Sequence, residues 1–169
     1  MITISSVIGN VFYDTEYAEK FKKVRGTANC ELIKVSRSEL DKTRFRINTD
    51  KGTDVGMVLN EISKLHNGDV LLSETDRLIV IEQIPEKVIS IKTKKTENSE
   101  KILVLLGHII GNRHRPIQIE NDGKIIFPIL SDSEIDVFKK LFSSVIDQID
   151  IKIEERIFEP QNGMDVHEH

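Results

Sequence analysis

The chain has 169 residues, 38% hydrophobic and 31% charged, which suits one large domain or two small ones and supplies enough apolar material for a core. A formal charge of −4 and a pI near 5.8 argue against wholesale coating of nucleic acid, which needs a basic surface to neutralise phosphates. The single cysteine, Cys30, excludes a disulfide within the chain and any cysteine-rich zinc or iron–sulfur site, and reads as a small buried hydrophobe.

Met1-Ile2-Thr3-Ile4 has neither the positive start nor the apolar stretch of a secretory signal. The most apolar window, Ile102 to Ile110, is too short to span a bilayer and contains His108, so a cytoplasmic protein is expected. The first half reads as β. Arg44 to Asn48 alternates polar and apolar residues, as a half-buried strand does, and Thr49-Asp50-Lys51-Gly52 turns it into Val55 to Leu59. The turns His66-Asn67-Gly68-Asp69 and Glu74-Thr75-Asp76 open two more strands, Val70 to Leu72 and Leu78 to Ile81. Residues 1–84 therefore form a small N-terminal all-β domain, with Pro85 at its boundary.

Beyond Pro85 the period changes. Val88 to Lys92 is a strand, and Glu97 to Ile110 a helix with Ile102, Leu103, Leu106, Ile109 and Ile110 on its apolar side. Gly111 follows where a helix end favours glycine at positive φ. Pro116 to Glu120 and Lys124 to Phe127 flank Asn121-Asp122-Gly123, a hairpin signal. Ser131 and Glu134 make a capping-box pair, with Leu130 placed to staple onto Ile135, ahead of a helix carrying Phe138, Leu141, Phe142 and Val145. Ile149, Ile151 and Ile153 alternate with charged residues in a closing strand. The order β-α-β-β-α-β over residues 85–158 is the ferredoxin-like arrangement, so the fold class is α+β. Residues 159–169 lack periodicity and read as a flexible tail.

Of five histidines, His114 is the most informative. It sits in Gly111-Asn112-Arg113-His114, past a helix end and before Pro116, where a rigid platform presents an imidazole as a metal ligand should be presented. Arg113 and Arg115 disfavour a protonated ring, and must themselves point aside from a cation. His167-Glu168-His169 ends the sequence, and two imidazoles on a flexible segment can both reach one ion. His66 lies in a turn and reads as structural or solvent-exposed, and His108 as packing or hydrogen-bonding on the first helix. No Ser/His/Asp set and no glycine-rich phosphate loop is recognisable, so no catalysis is expected.

Taken together these segments resemble the UreE family of urease accessory metallochaperones. Val7-Ile8-Gly9-Asn10, Lys42 to Arg46 with Thr49-Asp50-x-Gly52, and Leu65-x-x-Gly68-Asp69-Val70-Leu71 are similar to its N-terminal domain. Gly111-Asn112-Arg113-His114-x-Pro116-Ile117-Gln118-Ile119 resembles its most distinctive motif, and Phe158-Glu159-Pro160 with a short histidine-bearing tail resembles its ending. The resemblance implies a peptide-binding-like β domain, a ferredoxin-like metal-binding domain and a homodimer, with His114 as metal ligand at the dimer interface. His167 and His169 would supply further ligands. The implied cargo is nickel, with zinc or copper able to occupy the site in vitro. The implied partners are a urease accessory GTPase of the UreG type and the apo-urease activation complex, with no nucleic acid and no membrane.

Two departures are visible. Many members read Tyr-His-Leu before the Gly-Asn-Arg-His motif, whereas this chain reads His108-Ile109-Ile110, so His108 is not their histidine. Phe127-Pro128-Ile129-Leu130 lacks the extra histidines some members carry there. One imidazole cannot hold a divalent ion against water, but a two-fold interface brings His114 of both protomers together. The alternative is a co-chaperone-like interaction module without physiological metal transfer. RNA binding through Arg113-His114-Arg115 is disfavoured, because only 5% of residues are aromatic and the strands lack exposed rings to stack bases.

Overall fold

The computed structural model describes residues 1–60, 64–95 and 97–161. His167 and His169 lie outside the described residues. The chain divides into two compact units, Met1–Ile84 and Pro85–His169.

The first unit holds β1 (Ile2–Ile4), β2 (Gly9–Asn10), α1 (Thr15–Val24), β3 (Cys30–Val35), α2 (Arg37–Leu40), β4 (Arg44–Asn48), β5 (Asp54–Val58), β6 (Asp69–Glu74) and β7 (Arg77–Gln83). They form a three-stranded sheet, β1-β5-β4, and a four-stranded sheet, β2-β6-β7-β3. Strand alternation decides what each face buries. Leu71, Ile79 and Ile81 share a core with Ile4, Val55 and Met57 of the other sheet. Val70, Leu78 and Val80 turn the other way and meet Tyr17, Phe21 and Val24 of α1. The β strands expected from the sequence are present, and α1 adds a third layer. Glu31 is buried on β3, where its carboxylate accepts from Thr49 Oγ1 at 2.6 Å and Arg77 Nε at 2.8 Å.

The second unit holds β8 (Glu86–Thr93), α3 (Ser99–Gly111), β9 (Gln118–Ile119), β10 (Ile125–Pro128), α4 (Ser133–Leu141) and β11 (Ile149–Arg156). The sheet order is β11-β8-β10-β9 with every neighbouring pair antiparallel, the ferredoxin-like topology. Gly123 turns the β9–β10 hairpin at φ 80°. One sheet face carries Ile89, Ile91, Ile125 and Phe127, packed under Ile102, Leu106 and Ile110 of α3 and Phe138 of α4. Phe127 and Phe138 rings lie 4.7 Å apart at 58°, a tilted pair that adds to their burial.

The capping box expected from Ser131 and Glu134 does not form. The cap residue is Asp132, without a side-chain bond to the helix, and Glu134 turns back to accept from the Leu130 N–H at 2.7 Å and from Arg115. A guanidinium is a stronger partner for a carboxylate than a lone backbone N–H. Leu130 is 76% exposed and staples nothing.

Candidate metal centre

The end of α3 builds the platform. The Arg115 N–H donates to the Ile110 carbonyl at 3.4 Å and the His114 N–H to the Gly111 carbonyl at 2.9 Å. This nested pair closes a helix through one left-handed residue. The sequence suggested that Gly111 takes that role. Instead Gly111 remains inside the helix, and the left-handed residue is His114, at φ 52°. It is the only non-glycine residue at positive φ among the described residues. The helix keeps its ladder through Gly111 because Asn112 and Arg113 also find carbonyl acceptors, at His108 and Ile110. A histidine in this conformation costs about 1–2 kcal/mol relative to the right-handed region. Strain of this kind persists only where surrounding structure imposes it.

His114 is exposed, so its imidazole faces solvent from a fixed backbone. Its two neighbours diverge. Arg113 is exposed, whereas the Arg115 side chain, 11% exposed, turns inward and pairs with Glu134 of α4. Arg115 is thus turned toward α4 with its charge neutralised, tying the His114 loop to the second helix. Its Nε is buried without a hydrogen-bond partner. Glu134 as the tether of this loop was not foreseen, since its spacing to Ser131 advertised a local role.

His108, six residues before His114, is exposed on the last turns of α3, and the Asn112 amide donates to its Nε2 at 3.0 Å. His66 is exposed in its turn, its backbone N–H donating to Asp69 Oδ2 at 2.7 Å. No group of three or more His, Cys, Asp or Glu able to hold a metal occurs among the described residues. Among the described residues His114 is thus a candidate ligand with no such group around it.

A second feature the sequence did not announce lies past β11. The Gln161 N–H donates to the Ile117 carbonyl at 2.8 Å, and its side-chain Oε1 accepts from the Ile119 N–H at 3.4 Å. The last described residue thus sits against the chain three positions from His114.

The model of the UreE urease accessory protein N-terminal domain matches residues 18–83, inside the first unit. The chain is 32% identical over 123 residues to the urease accessory protein UreE of Lysinibacillus sphaericus, covering 73% of this chain and 75% of that one. It is 28% identical over 134 residues to the UreE of Natronomonas pharaonis, of whose length it spans 61%. It is 23% identical over 147 residues to UreE 1 of Pseudomonas syringae, covering 87% and 96% of the two chains. Alignments of this length cannot fit within either unit alone.

Proposed function

The chain belongs to the UreE family of urease accessory proteins, and from that premise we propose that it takes up a nickel ion at His114 and delivers it for assembly of the urease active site. A role in urease maturation, as an accessory protein rather than an enzyme, is what the family membership establishes. Nickel, its ligands and its hand-over are the proposal. The observation that carries it is the exposed imidazole of His114 held at φ 52° on a helix end.

Imidazole nitrogen suits nickel, copper and zinc, and the affinity order alone does not select nickel. A two-fold interface would pair His114 of one protomer with His114 of its partner. His167 or His169 would close the shell. His167 is six positions past Gln161, a span of at most about 22 Å, and the Gln161 N–H bonds the Ile117 carbonyl. The proposed setting is the cytoplasm, and the proposed recipient a UreG-type GTPase acting with the apo-urease complex. Among the described residues no helix is long and apolar enough to cross a membrane.

Calorimetric titration with nickel tests the assignment. The His114→Ala variant should lose the tightest site, one ion per dimer; an unchanged isotherm rejects it. A second reading, an interaction module without metal transfer, draws on Phe12 and Tyr13, 61% and 78% exposed on a turn braced by Asn10. Equilibrium dialysis against nickel separates the two, because the module would retain no metal.

A further inference from the structure

We propose that the outer edge of β11 is a docking surface for a second copy of this chain, the two strands pairing antiparallel about Ile153 and joining two C-terminal sheets into one. The proposal goes beyond the nickel reading and does not depend on it. β9, which His114 precedes by four residues, is the edge strand on the other side of the sheet, so the contact is separate from any pairing of His114.

The direction of the backbone groups defines the surface. The Ile129 N–H donates to the Lys87 carbonyl at 3.1 Å, so odd-numbered residues of β8 turn their N–H and C=O toward β10. The Lys94 N–H donates to the Gln148 carbonyl at 2.9 Å, so even-numbered positions turn theirs toward β11. In the β8–β11 register even residues meet even, with Ser90 opposite Lys152 and Val88 opposite Glu154. Ile149, Ile151, Ile153 and Glu155 therefore present their N–H and C=O to the outside of the sheet. Among the described residues none of these outward groups has a backbone partner. An edge of this kind is a template for another strand.

The side chains select the strand it takes. Charges on an edge commonly guard it, and a run of one sign repels every copy of itself. β11 instead alternates signs along one face of the sheet, through Asp150, Lys152, Glu154 and Arg156. With Ile153 set opposite the copy's Ile153, Lys152 meets the copy's Glu154 and Asp150 meets the copy's Arg156, each twice across the axis. These charge pairs fall at positions without backbone bonds, where side chains approach most closely. The bonded positions are Ile153 with itself and Ile151 with Glu155, about six backbone hydrogen bonds in all. Moving the axis to Lys152 puts that lysine on itself and Asp150 on Glu154. Moving it to Glu154 puts that glutamate on itself and Lys152 on Arg156. Like charges directly opposite are unfavourable, so the pattern favours the Ile153 axis over its neighbours. Ile153, 40% exposed on one chain, is covered by its copy there. Arg156 already pairs with Glu120 at 2.8 Å and lies 3.8 Å from Glu154, and its five N–H donors leave one for Asp150 of the copy.

The experiment is disulfide trapping of the full, metal-free chain. Ile153→Cys should give a covalent dimer under mild oxidation, because opposite Cα atoms in a bonded pair lie about 5.5 Å apart, within the span of a disulfide. The parent, whose single cysteine is buried, is the blank. In the Ile153→Cys chain, Lys152→Glu or Glu154→Lys alone turns opposite pairs into like pairs on both sides of the axis and should slow trapping at least about tenfold. The two together exchange the signs and should restore it. His114→Ala should leave trapping unchanged. Absence of the dimer would mean that something other than a second copy covers β11, and would overturn the proposal. So would trapping that ignores the single charge reversals, or a double reversal that fails to recover. Efficient trapping at Ile151→Cys in place of Ile153→Cys would put the axis elsewhere and reject the pairing argued from the charges.

Discussion

His114 should be a residue at which binding and stability oppose each other. Replacing it with glycine removes the clash that a Cβ makes in the left-handed region, about 1–2 kcal/mol. Glycine also gives the unfolded chain more freedom, which takes back about 0.5–1 kcal/mol. The ring is exposed and packs on little, so no burial is lost. The net is a gain of roughly 0.5–1 kcal/mol for His114→Gly, or about 2–8 °C in the melting of a domain of this size. His114→Ala keeps a Cβ at φ 52° and should melt close to the parent. Both variants should lose the tightest nickel site under the proposed reading. Differential scanning calorimetry of the three metal-free proteins measures the stability half. A glycine variant no more stable than the alanine variant would refute the claim that strain is held at this residue.

Other expectations follow from single contacts. Glu134→Ala strands the Arg115 guanidinium, which is only 11% exposed, and removes the acceptor for Leu130; it should cost about 1–3 kcal/mol in urea denaturation, and Glu134→Gln less. Burial acts to raise the Glu31 carboxyl, but bonds from Thr49, Thr53 and Arg77 outweigh it and hold the group below its ordinary value of 4.5. A depressed carboxyl stabilises the fold above the unfolded value, so the first unit should lose stability as pH falls below about 4.5, and Glu31→Gln should flatten that part of the acid profile. Burial pushes the Cys30 thiol up, with Lys51 opposing, so a thiol reagent should label it in denaturant and only slowly in native protein. Nickel affinity should weaken below about pH 6.5, where protons compete for imidazole nitrogen; a flat profile would point to carboxylate ligands.

The second half of the fold was legible because its signals are local and agree with one another. Alternation in Ile149 to Ile153, the 3.6-residue spacing in α3 and the glycine turn at Gly123 all fit a single topology, and the sheet order adopts it. In the first half α1 stayed hidden because its apolar stripe, Tyr17, Phe21 and Val24, is short and set among lysines and glutamates, and none of its residues is fully buried. Strands β1 and β2 have three and two residues, too few for alternation to register. Of the candidate site, the position of His114 just past the end of α3 was legible, but its backbone conformation was not, since Gly111 advertised the left-handed position and sequence does not weigh where a helix spends its last turn. Glu134 likewise offered a local partner and took a distant one, Arg115, because charge pairing outranks a cap. Phe158 is buried with Val88 and Ile126, a contact between distant positions that no periodicity records.

The proposed site is unequal by construction, and that inequality bears on the proposed hand-over. A pocket with four ligands fixed on one scaffold would hold a metal tightly and release it slowly. Here the described residues supply no such group, and His114 occupies a strained position. Under the proposed reading every further ligand comes from a second protomer or a tethered tail, so its hold depends on effective concentration more than on scaffold rigidity. A recipient that draws off the tail would therefore weaken the site without unfolding anything. Under the same reading the left-handed turn at His114 would serve to present an exposed ring from a fixed backbone, where a partner protomer or a recipient could reach the same ion.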